Sequence, residues 1–154
     1  MTPAQFLVTV IRPTLSLLGP KYQGWEAERL LIAIAMQESR IKHRRQMGGP
    51  ARGFWQFETG GLSGVLRHTA SKDDAARLID TLVYKPEVGL LHAALEHNDI
   101  LACGMARLLL WTDAKPLPLI EEEGWAYYLR NWRPGRPHPS YWPVAWKAAK
   151  DVTH

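Results

Sequence analysis

The segment WEAERLLIAIAMQESR, residues 25–40, is the most hydrophobic helical pattern in this chain of 154 residues. Glu26 and Glu28 lie in its first turn, where the positive end of the helix dipole favours acidic side chains. Residues 30–36 are apolar on every side, so the helix presents no face that water would solvate. We therefore predict a central, buried helix with Glu38 near its C-terminal end.

The sequence on either side of this segment also predicts helices. Thr2-Pro3-Ala4-Gln5 is a capping-box pattern with proline in the first turn, and it opens an amphipathic helix that stops at Gly19-Pro20. Further helices are predicted after the capping residues Ser71, Asp73 and Asp74, from Pro86 to about His97, from Asp99 as a cap to Trp111, from Glu121 to Trp132, and after Ser140. No repeat and no run of alternating strands is present. The predicted fold class is all-α, or α with a minimal β-hairpin near residues 53–57, in one domain spanning residues 1–154.

The composition is that of a folded globular protein, with 46% hydrophobic and 22% charged residues, and it argues against disorder. The net charge of +4 would attract a polyanion, and both nucleic acid and bacterial cell wall are polyanions. Cys103 is the only cysteine, so no disulfide can form within the chain, and we expect a buried thiol. The apolar N-terminus lacks an early basic region and is interrupted by Arg12 and Pro13. We expect no signal peptide and no membrane span, and therefore synthesis in the cytoplasm.

Glu38 is a candidate catalytic group because of its position on the central helix. A helix C-terminus disfavours an anion, and the preceding Ile-Ala-Ile-Ala-Met run predicts dry surroundings. Both effects raise the pKa of a carboxyl group, and a carboxylic acid that keeps its proton beside a cleft can cleave a glycosidic bond by general-acid catalysis. An exposed glutamate at a frayed helix end is the alternative interpretation.

The motifs around Glu38 resemble those of a known superfamily. AIAMQESR, residues 33–40 with Glu38-Ser39 near its end, is followed by a basic loop (residues 41–45) and by GPARGFWQF at residues 49–57. This arrangement closely resembles the soluble lytic transglycosylases and goose-type lysozymes of the lysozyme-like superfamily. The resemblance implies a lysozyme-like fold in which Glu38 is the catalytic acid and Ser39 and Gln56 belong to the substrate cleft. Glycines would let the backbone approach a polysaccharide closely.

Two further residues have open roles. The family's later Ala-Tyr-Asn motif is matched only in part by Ala126-Tyr127-Tyr128, so Tyr127 either contacts the substrate near Glu38 or is a core aromatic residue. Glu58 is either a second carboxylate facing the cleft or a surface glutamate beside Gly60-Gly61. Because most glycosidases use two carboxylates, the role of Glu58 bears on whether the reaction is hydrolytic.

The resemblance implies an enzyme that cleaves peptidoglycan glycan strands between N-acetylmuramic acid and N-acetylglucosamine. Such a protein would be a bacteriophage virion-associated lysin or an endolysin, or would be encoded by a prophage, and would reach the cell wall in the virion or at lysis. Other phage virion proteins are possible partners. No metal or cofactor is expected, because the histidines are scattered and no phosphate-binding glycine loop is present. The alternative is a non-catalytic basic protein on a lysozyme-like fold, nucleic-acid-binding or structural, for which Arg130 and Arg133 beside Trp132 are the motivation.

Overall fold

The computed structural model describes residues 1–154 and is helical almost throughout. The helices are α1 (Pro3–Phe6), a π-helical turn (Leu7–Ile11), α2 (Arg12–Leu18), α3 (Trp25–Ser39), α4 (Thr59–Arg67), α5 (Lys72–Thr81), α6 (Val88–Ala94), α7 (Asp99–Trp111), α8 (Glu121–Trp132) and α9 (Trp142–Val152). Strand pairing is limited to isolated bridges that join Arg52 to Arg45 and to Phe57. The predicted all-α class is confirmed. None of the helices combines the length and the apolar character that a bilayer crossing requires.

The N-terminal helical segment begins as predicted. Thr2 and Gln5 form a reciprocal capping box, with hydrogen bonds of 2.9 and 3.1 Å between side chain and backbone. The helix widens into a π turn immediately before Pro13, which has no N–H to donate to the preceding turn. Gly19 ends α2 with a φ of 120°, a conformation that residues with a Cβ rarely adopt.

Helix α3 forms the centre of the hydrophobic core, which confirms the prediction of a buried central helix. Every residue from 30 to 35 is fully buried. Helix α9 packs along α3, and the Arg29 guanidinium donates hydrogen bonds of 2.9 and 3.0 Å to the side-chain and backbone oxygens of Thr153. The same guanidinium lies 4.5 Å above the Trp25 ring. These contacts fix the direction of α3 and therefore the position of its C-terminal turn.

Several predicted helix caps are wrong in detail. Asn98, not Asp99, caps α7 by accepting a hydrogen bond from the Leu101 N–H, which leaves the Asp99 carboxylate free to bind Arg44 through two hydrogen bonds of 2.9 Å. The last helix begins at Trp142 after a 3-10 turn, and the Ser140 side chain does not cap it.

The caps predicted for α5 are also wrong. Ser71 stands at the N-cap position, but its hydroxyl donates to the Val65 carbonyl at 2.7 Å. The Asp74 carboxylate accepts a hydrogen bond from the Tyr22 hydroxyl and pairs with Lys21 at 3.3 Å. Side chains whose sequence position favours a helix cap therefore bind partners outside the helix terminus instead.

Cys103 lies in the buried interior of α7, and the prediction of a buried thiol is confirmed. Burial raises its pKa to about 12, so the thiol stays protonated at neutral pH. A buried thiol that keeps its proton is a poor nucleophile.

Candidate active site

A cavity of about 570 Å³ opens at the C-terminal end of α3. Helices α3 and α8 supply Gln37, Glu38, Tyr128 and Trp132 to its lining, and two loops supply the remainder. The first loop contributes Gln46, Pro50, Ala51, Gln56 and Glu58, and the second contributes Arg133 to Arg136 and His138. The lining is mostly polar, so the cavity suits a hydrogen-bonding ligand such as a sugar better than an apolar one.

Glu38 is the penultimate residue of α3 and lines this cavity. Burial raises the pKa of its carboxyl group, while a hydrogen bond from Tyr128 and the positive charge of Arg40 act in the opposite direction. Burial is the largest of these effects, so the pKa lies above its ordinary value. The side chain is partly exposed, which excludes both the fully solvated glutamate of the alternative interpretation and a sealed core residue.

Tyr128 is the closest polar partner of Glu38. Its hydroxyl donates a hydrogen bond of 2.5 Å to Oε1 of the carboxyl group. The Tyr128 ring is stacked on Trp142, with ring centroids 5.4 Å apart and planes 13° apart, and it also contacts Trp125 and Trp132. Burial, together with the nearby Glu38 carboxylate, raises the pKa of Tyr128, so this hydroxyl remains a donor.

The prediction that Tyr127 contacts the substrate near Glu38 is wrong. Its hydroxyl donates to the carbonyl oxygens of Leu110 and Lys115 at 3.2 and 3.1 Å, and its ring lies beneath the Arg130 guanidinium. Tyr127 is buried and does not line the cavity that contains Glu38. It is the core aromatic residue that the sequence left as the alternative.

Arg40 ends α3 immediately after the site. Its backbone adopts the left-handed conformation with a φ of 59°, and its guanidinium donates to the carbonyls of Met36 and Gln37 at 2.9 and 2.7 Å. The guanidinium also lies 3.3 Å from the centroid of the Tyr141 ring. One side chain therefore satisfies the last carbonyls of the helix and places a positive charge near Glu38.

Ser39 supports the site without reaching the cavity, contrary to the prediction that it binds substrate. It is 3% exposed, and its hydroxyl lies 3.0 Å from the Ala35 carbonyl and 2.7 Å from the Phe54 carbonyl. The second contact joins the end of α3 to the 49–57 loop. The cavity lining excludes Ser39, so its role is structural.

Gln56 lines the same cavity as Glu38, in a left-handed backbone conformation with a φ of 53°. Its side-chain amide donates back to the Gly53 carbonyl at 2.9 Å. Gly53 itself has a φ of 79°, and a Cβ there would lie 3.0 Å from the Leu95 carbonyl oxygen. This glycine allows the loop to pack against the core, not against a polysaccharide as the sequence interpretation proposed.

Glu58 lies at the same cavity but is exposed, and its side chain makes no hydrogen bond or ion pair with the rest of the protein. Trp132 also lines the cavity. Its indole N–H donates to the Trp55 carbonyl at 2.9 Å, and its ring contacts Phe57. Helix α8 and the 49–57 loop are thereby held together beside Glu38.

The lining residues that sequence reasoning did not assign to the site include Gln37, Tyr128, Arg133 and Arg136. Tyr128 has a detectable sequence signal, because Trp125, Tyr128 and Trp132 are spaced three and four residues apart and form one aromatic stripe on α8. The two arginines belong to a turn-rich segment whose sequence predicts a loop but not its location.

No protein-family model, curated protein or solved structure matches this chain.

Proposed function

We propose that this protein cleaves the glycan strands of peptidoglycan between N-acetylmuramic acid and N-acetylglucosamine, with Glu38 as the general acid and base. The observation that carries the proposal is the setting of Glu38. This carboxyl group lines an open polar cavity, and burial raises its pKa. Protonation of a leaving glycosidic oxygen requires a carboxylic acid that retains its proton and can reach the substrate.

The two oxygens of Glu38 have different surroundings, which suits this role. Oε1 accepts the hydrogen bond from Tyr128, whereas Oε2 has no hydrogen-bond partner in the protein. Tyr128 therefore acts as a positioning residue that fixes the carboxyl plane and leaves Oε2 for the substrate. Because the orientation of the carboxyl group is already fixed in the folded protein, no further loss of orientational freedom accompanies the reaction.

The proposed reaction uses one carboxyl group twice. Glu38 first gives its proton to the glycosidic oxygen as the bond between that oxygen and the anomeric carbon breaks. The N-acetyl group of the same sugar stabilises the positive charge that develops on this carbon. Glu38 then accepts the proton of the sugar's 6-hydroxyl, and the oxygen of that hydroxyl bonds to the anomeric carbon. The product has a 1,6-anhydro end, and no water is consumed.

The surroundings of Glu58 favour this single-carboxylate route over hydrolysis. A general base that activates water must be held in a defined orientation. Glu58 is exposed, and neither a hydrogen bond nor an ion pair fixes its carboxylate. We therefore propose that Glu58 contacts substrate at the cavity entrance and does not take part in the chemistry.

Digestion of purified peptidoglycan, with mass spectrometry of the products, tests the proposal. Wild-type protein should release fragments with 1,6-anhydro ends, and Glu38→Gln should lower the rate by about 10²-fold or more. Glu58→Gln and the exposed control Glu122→Gln should retain most of the activity. Full activity of Glu38→Gln would exclude Glu38 as the acid, and reducing ends that disappear in Glu58→Gln would establish hydrolysis with two carboxylates.

The nucleic-acid-binding alternative has weaker structural support. Arg130, one of the two arginines that motivated it, pairs with Asp113 at 2.7 Å and stacks on Tyr127. Salt-sensitive retention on DNA together with inactivity on peptidoglycan would favour this alternative.

A further inference from the structure

One side of the cavity is a basic, proline-rich loop, RPGRPH at residues 133–138. Arg133 ends α8 in a left-handed conformation with a φ of 49°, and its N–H donates to the Leu129 carbonyl at 3.1 Å. Pro134 and Pro137 restrict the backbone of the loop. We call Arg133 and Arg136 of this loop the basic rim.

The basic rim carries positive charge that the protein does not neutralise. Arg133 and Arg136 are exposed, and neither guanidinium has a carboxylate within 4.0 Å or a hydrogen bond to the protein. Two arginines of the neighbouring basic stretch are paired with carboxylates. Arg44 binds Asp99 at 2.9 Å, and Arg45 lies 3.9 Å from Glu96. The basic stretch of residues 41–45 is therefore partly neutralised, whereas the basic rim is not.

The loop that carries the basic rim is attached to α3 by a buried side chain. Gln37 is 6% exposed, and its Nε2 donates to the His138 carbonyl at 2.9 Å. Because a carbonyl oxygen can only accept, the amide nitrogen must face His138, and Oε1 must face the opposite way. This oxygen is buried and has no hydrogen-bond partner, although Gln37 lines the cavity. The Gln37 amide thus anchors to α3 the loop that carries the two unpaired cations.

We propose that the basic rim binds carboxylates carried by the muramic acid units of the glycan, so that the cavity prefers these strands to neutral ones. The inference rests on the proposed function and names the substrate feature that the site selects. Guanidinium groups pair with carboxylates through two parallel hydrogen bonds, which makes arginine well suited to this recognition.

The carboxylates have two possible sources. Peptide stems carry free carboxylates, and removal of the stem by an amidase exposes the carboxylate of the lactyl group instead. A hexamer of N-acetylglucosamine carries neither. These three soluble ligands therefore separate recognition of the stem, recognition of the lactyl group and recognition of the sugar backbone alone.

Binding measured by calorimetry in a Glu38→Gln background tests the proposal without turnover of the ligand. The added changes Arg133→Gln and Arg136→Gln together should weaken binding of peptide-bearing glycan fragments by about tenfold or more and leave the neutral hexamer unaffected. The salt dependence of binding should fall as well. Dependence on the arginines that persists after amidase treatment would show that the basic rim binds the lactyl carboxylate as well as the stem carboxylates, and dependence that disappears would restrict recognition to the peptide stem.

Arg67→Gln provides a matched control, because Arg67 is an exposed arginine of α4 outside the cavity. It should change none of the three affinities, and thermal unfolding should show that every variant is folded. Equal weakening for all three ligands, or no weakening for the anionic ones, would overturn the proposal. Failure of wild-type protein to cleave peptidoglycan would instead count against the proposed function, since the binding measurement does not depend on cleavage.

Discussion

The Tyr128 hydroxyl donates a 2.5 Å hydrogen bond to Oε1 of Glu38 and so connects the middle of α8 to the last turn of α3. Stacking on Trp142 holds the tyrosine ring, and the indole of Trp132 ties the same helix to the 49–57 loop. The orientation of the Glu38 carboxyl group therefore depends on aromatic packing between α8 and α9. Mutations there should alter the chemistry of Glu38 without touching the residue itself.

Tyr128→Phe should move the alkaline limb of the pH–rate profile to higher pH. In the wild-type protein the hydrogen bond from Tyr128 favours the ionised form of Glu38 and lowers its pKa. Loss of this hydrogen bond therefore raises the Glu38 pKa further. The rate at the optimum should fall by roughly tenfold, because the carboxyl group loses its fixed orientation. Initial rates on peptidoglycan across pH measure both effects, and NMR titration of Glu38 measures the pKa independently of activity.

Tyr127→Phe is the matched control, since it removes a hydroxyl that binds only the Leu110 and Lys115 carbonyls. It should leave the pH–rate profile in place. A similar shift in both variants, or in neither, would contradict the positioning role of Tyr128.

Glu38→Gln should become progressively more stable than wild type as pH rises. The pKa of Glu38 in the folded protein lies above its ordinary value of 4.5, so the unfolded chain releases this proton first. The stability that the protonated carboxyl contributes is complete below that ordinary value and is lost as pH rises through the folded pKa. The difference in melting temperature between the two proteins should therefore be small near about pH 4 and larger near about pH 7. A difference that stays constant with pH would show that burial does not perturb Glu38.

Ser39→Ala should destabilise the protein by about 1–3 kcal/mol, because the buried Phe54 carbonyl loses its hydrogen-bond donor. Urea unfolding measures the change, and Ser16→Ala, on the exposed side of α2, should lie within about 0.5 kcal/mol of wild type. Unchanged stability of Ser39→Ala combined with lost activity would restore the substrate-binding role that the sequence resemblance implied.

Gly53→Ala should cost more than about 1 kcal/mol, since φ is positive and the new Cβ would lie 3.0 Å from the Leu95 carbonyl oxygen. Gly64→Ala is the control: this glycine is exposed within α4, and a Cβ there would meet nothing within 4 Å. That change should stabilise the protein by about 0.5–1 kcal/mol because alanine favours the helix. Chemical unfolding of both variants measures the contrast. Equal effects of the two changes would mean that the conformation at Gly53 imposes no constraint.

The helices could be predicted because their signals are local. The apolar run at residues 30–36 is sufficient to bury α3, and the acidic first turn of α8 marks its start at Glu121. The position of Glu38 at the end of a hydrophobic helix follows from the same pattern. The upward shift of the Glu38 pKa could therefore be predicted from the sequence.

The hydrogen-bond partner of Glu38 could not be predicted from a local sequence pattern alone. Tyr127 and Tyr128 are adjacent, so their side chains point about 100° apart around α8, and both are buried. Which of them faces α3 depends on how α8 packs against α9, a long-range contact. Asn98 and Asp99 gave a similar error, because the distant Arg44 binds the aspartate and leaves the asparagine as the cap. In both cases the sequence prediction assigned the role to the wrong one of two adjacent residues, because a distant contact determines which of the two fills it.

Arg40 performs two tasks that are usually separate in proteins. It ends α3 by binding the carbonyls of Met36 and Gln37, and its charge lowers the pKa of Glu38. A substitution at this position cannot tune the acid strength of Glu38 without also rebuilding the helix terminus. A substitution at Tyr128, in contrast, changes the pKa of Glu38 without removing hydrogen bonds from the end of α3. Tyr128 is therefore the better position at which to adjust the working pH.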